Sequence, residues 1–249
     1  MTIEQEDSLE KNAVSVTKSS DFKPKTHGTI ISWSLIASFT RFIPLPLVDD
    51  LLEAGLEKMM IKQIAEAHKI TLSDSDLDVL SYDTTDFSGL KMAVRSSVRL
   101  VGRFFLKALL VFELKDAADT FSAVYHLGYL LDYTSHTGKF EQCSTSQLRV
   151  AIDRVCQNAG TSPVNRVFIG IMKESLSMLG AVKDFIIKSV FDKGEGGQTP
   201  ENIAKEAPPE AEELVVKLEK GLNLMPPKYF EVLLKNLDAE IQKAANTHH

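Results

Sequence analysis

Residues 90–133 read LKMAVRSSVRLVGRFFLKALLVFELKDAADTFSAVYHLGYLLDY, and this stretch decides the fold. Lys91, Arg95, Arg99, Arg103 and Lys107 recur at every fourth position, and Tyr125, Tyr129 and Tyr133 do the same further on. Side chains three or four residues apart share a helical face, whereas a half-buried strand alternates at every second residue. The stretch therefore predicts two long helices, at about 90–110 and 112–133.

The same period extends outward in both directions. Ser144 and Gln147 form a capping box that opens a helix to about Asn158. Ser162 as N-cap and Pro163 at the first helical position start another, over about 163–191, rich enough in Val, Ile, Leu, Met and Phe to be largely buried. Upstream, Leu52, Leu56, Met59, Met60 and Ile64 mark an amphipathic helix to about His68, and Ser73 with Asp76 caps a short helix over 74–80. Two further amphipathic helices, 209–221 and 227–245, are divided at Pro226-Pro227. No stretch alternates like a strand, so the reading is an all-α multi-helix bundle built from αα-hairpins. Residues 1–27 read as a flexible tail, 28–191 as the bundle, 192–208 as a linker, and 209–249 as a C-terminal helical segment. A weak internal repeat at an offset of 66 pairs Arg41 with Lys107, Asp50 with Asp116 and Glu53 with Asp119, as two stacked hairpins would.

The chain has 249 residues, 44% of them hydrophobic, and 28 Lys and Arg against 34 Asp and Glu give a net charge of −6. That balance disfavours a nucleic-acid partner, since phosphate affinity needs a basic surface. Cys143 and Cys156 are too few for a disulfide framework and suit a reducing compartment. The apolar segment Thr29–Val48 would just span a bilayer if straight. Pro44, Pro46, Arg41 and five Ser or Thr residues argue instead for a buried or interfacial helix ending near Phe42.

The five cations are interleaved with Met92, Val94, Val98, Leu100, Val101, Phe104 and Phe105. Four residues advance a helix by about 400°, so the ladder drifts about 40° per step and about three cations share one plane. Such a helix suits an anionic membrane surface or an acidic protein partner, against the alternative of a solvated stripe on a buried helix. Trp33, Phe39 and Phe42 are the aromatic residues expected to insert at the headgroup boundary beside it.

Asp116, Asp119 and His126 fall at i, i+3 and i+10 and share a helical face. Carboxylates and an imidazole on one stripe are what a bundle uses to hold a metal, so they are the metal candidates and would serve a metal-assisted hydrolase. Glu-x-x-His and His-Glu-x-x-His patterns are absent, and the expectation is that no tightly bound divalent metal or other cofactor accompanies the chain. Neither a nucleophile elbow nor a phosphate-binding glycine loop is present, and no catalytic residue is assigned.

The segment Ile43-Pro-Leu-Pro-Leu-Val-Asp-Asp50, followed by a helix to Ile64-Ala-Glu-Ala-His-Lys-Ile70 and a cap at Ser73, resembles the bacterial EcsC-like and YcjF-like helical families over residues 29–80. The resemblance implies a bacterial, cytoplasmic, membrane-associated helical protein, and it carries no catalytic residue. The sequence is thus read as a non-enzymatic peripheral-membrane or protein-interaction module at the inner face of the membrane. The alternatives are the hydrolase on Asp116, Asp119 and His126, and a carrier holding an apolar ligand or lipid in the bundle core.

Overall fold

The computed structural model describes residues 22–41, 49–81, 110–159, 162–191 and 208–246. The helices are α1 (His27–Thr40), α2 (Asp49–Ala67), α3 (Asp74–Ser81), α4 (Leu110–His136), α5 (Thr145–Asn158), α6 (Pro163–Glu174), α7 (Leu176–Phe191), α8 (Pro209–Asn223) and α9 (Pro227–Asn246), with a 3-10 turn at Lys139–Gln142. No strand occurs among the described residues, as the helical period requires. The cation ladder Lys91–Lys107, the Ile43–Val48 turn, Phe42 and nearly all of the 192–208 linker lie outside the described residues.

The caps fall where the sequence puts them. Ser144 Oγ accepts from the Gln147 backbone N–H at 3.3 Å, and Gln147 Oε1 accepts from the Ser144 N–H at 3.0 Å. Asp76 and Ser73 exchange equivalent bonds, each of 3.1 Å, at the start of α3. Donation to Asp76 Oδ2 by the Ser73 hydroxyl, at 2.6 Å, and then by its backbone N–H holds the Asp76 carboxyl below the usual carboxylate range. Ser162 Oγ accepts from the Val164 N–H at 3.0 Å and Pro163 opens α6.

Helix α4 is the axis of the bundle, contacting α1, α2, α5, α6 and α9. Every residue from Val124 to Thr134 is buried, because neighbours cover this helix on all sides. Gly128 makes the closest crossing possible: a Cβ there would lie 2.9 Å from both Ile30 Cγ2 on α1 and Met60 Sδ on α2. The C-terminal pair packs on the body, α8 on α6 and α1, α9 on α5 and α4. Leu214, Leu218, Leu234 and Leu237 are fully buried there, so the pair belongs to the same core.

Two segment limits and one burial differ from the sequence reading. Phe22, which the sequence reading places in the tail, packs edge-on against Tyr129 and Tyr133, with ring centroids 5.5 and 5.1 Å away. The expected 163–191 helix is two, interrupted at Ser175 (φ −115°, ψ 23°), whose N–H bonds back to the Met172 carbonyl. The segment Met172-Lys-Glu-Ser-Leu176 has neither Gly nor Pro, so packing rather than intrinsic propensity sets that break. Nor is the first half of α7 largely buried; Leu176 is 53% exposed, and among residues 176–182 only Val182 is buried. No helix among the described residues is long and apolar enough to cross a membrane.

Candidate functional site

A helix buried on all sides must bond every polar side chain it carries, because an unpaired buried polar group costs about 1–3 kcal/mol. α4 carries the buried polar side chains of Ser122, His126 and Asp132, and two polar clusters grow from them.

The first surrounds Asp132, whose side chain has no exposure. Its Oδ1 accepts from Thr26 Oγ1 at 2.7 Å and pairs with His68 Nε2 at 2.9 Å, while Oδ2 accepts from the Lys25 backbone N–H at 2.8 Å. Lys25 Nζ donates to the Ala67 carbonyl at the end of α2. One carboxylate thereby ties the start of α1 and the end of α2 to the last turns of α4. All its partners are structural, and the cluster closes on itself.

The second cluster opens to solvent. Ser122 Oγ lies 3.2 Å from His126 Nδ1, His126 Nε2 lies 2.7 Å from the Tyr229 hydroxyl, and that hydroxyl lies 3.1 Å from Ser162 Oγ. With the imidazole proton on Nδ1, one polarity satisfies every atom. Ser162 donates to Tyr229, Tyr229 donates to His126, and His126 donates to Ser122, while Ser162 accepts from the Val164 N–H. Burial drives the His126 pKa down to about 4, opposed in part by its hydrogen bond with the Ser122 backbone, so the ring is neutral near pH 7. Burial likewise raises the Tyr229 phenol, with the Ser162 bond acting against it.

Ser122, His126 and Ser162 form the buried floor of a cleft of about 450 Å³ between α4 and the α5–α6 corner. Lys115, Asp119 and Asn165 complete it towards solvent. Asn165 Nδ2 donates to Asp119 Oδ1, and the buried Asn165 Oδ1 meets no donor among the described residues. Cys156 also lines the cleft, but burial, and secondarily the nearby Asp153 carboxylate, push its thiol up to about 12, which keeps it protonated and unreactive. A separate groove of about 300 Å³, between Val150 on α5 and Ala244 on α9, has no link to this hydrogen-bonded chain.

The residues singled out from sequence divide accordingly. Asp119 and His126 do meet in one cleft, whereas Asp116 is exposed and outside its lining. They do not make a metal centre: both His126 nitrogens are engaged, Asp119 holds Asn165, and no group of three His, Cys, Asp or Glu among the described residues could hold a metal ion. Trp33 and Phe39 are core residues, only 4% and 1% exposed, so the expected aromatic insertion at a headgroup boundary fails for both. Trp33 Nε1 donates to Gln63 Oε1 at 2.8 Å, which gives its one polar atom a partner inside the bundle. Tyr229 has no motif to mark it in the sequence; it stands 103 residues from its partner His126, and its local signal is a place in the first turn of α9.

The chain matches no protein-family model, no curated protein and no solved structure.

Proposed function

We propose that the protein is a non-catalytic helical module that attaches to an anionic membrane surface through residues 91–107. The observation that carries this reading is the charge pattern: between Asp86 and Glu113 the chain has five cations and no acid, although its net charge is −6. Near a charged bilayer each Lys or Arg contributes on the order of 1 kcal/mol, so about three cations sharing a plane contribute roughly 3 kcal/mol, which alone is weak. Apolar contact has to supplement it. With Trp33 and Phe39 committed to the core, the ladder's own Leu100, Val101, Phe104 and Phe105 are the source of that contact.

The body described above supports a scaffold in preference to an enzyme. His126 is neutral and bonded on both sides, Asp132 is saturated by structural donors, and the Cys156 thiol is held protonated. Co-sedimentation with liposomes tests the reading, using vesicles of phosphatidylcholine alone and vesicles with about one-third phosphatidylserine, at low and high salt. Binding only to the anionic vesicles, weakened by salt and lost in the triple variant Arg95→Glu, Arg99→Glu, Arg103→Glu, is the expected result. Equal sedimentation of the folded variant, or none of the wild type, refutes it.

A further inference from the structure

We propose that the cleft between α4 and the α5–α6 corner binds a small zwitterion, a molecule carrying an ammonium and a carboxylate a few bonds apart, of which a free α-amino acid is the simplest form. This goes beyond surface attachment and rests on different residues.

The volume of about 450 Å³ falls within the range of small-molecule sites, and the floor is made by buried polar side chains instead of a solvated helix surface. Ser122, His126 and Ser162 are only 5%, 3% and 5% exposed, and the bonds running through Tyr229 fix all three in place. That floor has dipoles but no net charge. The wall is different: Lys115 and Asp119 bring one charge of each sign, one helical turn apart on α4, with their Cβ atoms about 6 Å from each other.

Asn165 gives the site its direction. Its Nδ2 is spent on Asp119 Oδ1, which turns its Oδ1, buried and without a donor among the described residues, into an acceptor beside the carboxylate. A carboxylate and an amide oxygen side by side select an N–H donor bearing positive charge. The ligand's ammonium therefore belongs at Asp119 and Asn165, and its carboxylate at the Lys115 ammonium. The rest of the ligand lies against the hydroxyls and the neutral imidazole, which accommodate a small or hydroxylated side group. An uncharged apolar ligand would leave the Asn165 oxygen unpaired, and a dianion would face Asp119; both are disfavoured.

Isothermal titration of the full chain with glycine, L-alanine, L-serine and L-glutamine tests the proposal, with L-alaninamide and N-acetyl-L-alanine as analogues that each lack one charge. At least one amino acid is expected to bind saturably, with both blocked analogues at least roughly tenfold weaker. Lys115→Gln and Asp119→Asn alter exposed side chains and should retain helical circular dichroism while weakening binding by a similar factor. Ala123→Trp, placed to fill the cleft, should abolish it. Absence of saturable binding by all four amino acids at about 10 mM, equal binding of the blocked analogues, or unchanged binding in the folded variants each overturns the proposal. The comparison of analogues on the wild-type chain decides the matter even where a variant fails to fold.

Discussion

His68 Nε2 and Asp132 Oδ1 stand 2.9 Å apart, joining the end of α2 to a carboxylate with no solvent exposure in the last turns of α4. Thr26 and the Lys25 backbone complete the set, so two chain segments distant in sequence share one acceptor on a third. Asp132→Ala would leave the Thr26 hydroxyl, the Lys25 N–H and the His68 ring without their partner in a site that water does not reach. The expected cost is about 3–5 kcal/mol, measured as a lowered midpoint in urea unfolding, with Asp132→Asn intermediate because it keeps one acceptor oxygen.

His126 makes stability depend on pH. Its pKa is about 4 in the folded chain against an ordinary 6.5, so between those values the unfolded chain binds a proton that the folded chain refuses. Stability therefore falls as the pH drops from 6.5 to about 4, and this residue's contribution to the loss is at most roughly 3 kcal/mol. Burial also lowers the His27 pKa, which adds in the same direction. Urea midpoints recorded from pH 7 to pH 4 should slope less in His126→Gln than in the wild type; parallel slopes would assign the dependence elsewhere.

Cys156 should resist alkylation in the folded chain at neutral pH, because its thiol is raised to about 12. Cys143 is raised as well, by burial alone. Mass mapping after iodoacetamide treatment is expected to show slow modification of both cysteines in the native protein, Cys156 the slower, and rapid modification of both in guanidinium. Fast labelling of native Cys156 would contradict the environment described for it.

Gly128→Ala should destabilise the bundle by about 1–3 kcal/mol, since the added methyl meets Ile30 and Met60 at 2.9 Å. Gly170, with nothing within 4 Å of a built Cβ, is the control, and Gly170→Ala is expected to be neutral or stabilising. Thermal denaturation of the two variants checks both.

Lys69 holds a left-handed φ of 61° at the end of α2, where the Ile70 N–H bonds back to the Ala65 carbonyl. A side chain there is strained, and Lys69→Gly should relieve that strain, for a net gain of about 0.5 kcal/mol after the extra freedom glycine has in the unfolded chain. A higher melting temperature is the expected reading.

Much of this architecture was legible in the residues themselves. Ser73, Ser144 and Ser162 specify helix starts through bonds made within a few positions, and the three- and four-residue period of apolar side chains specifies the helices between them, so both can be read locally. Hydropathy could not say where Trp33 and Phe39 go, because an aromatic helix looks the same whether a membrane or another helix covers it; α2 and α4 pack on α1 and decide the matter. The same limit applied to the face carrying Asp116, Asp119 and His126. Helical spacing placed the three together, but the roles of Asp119 and His126 depend on Asn165 and Tyr229, which lie 46 and 103 residues beyond them. Local periodicity determined the elements and their ends; which buried polar atom meets which partner was decided only in the tertiary structure, because desolvation and hydrogen bonding act between atoms close in space however far apart they are in the chain.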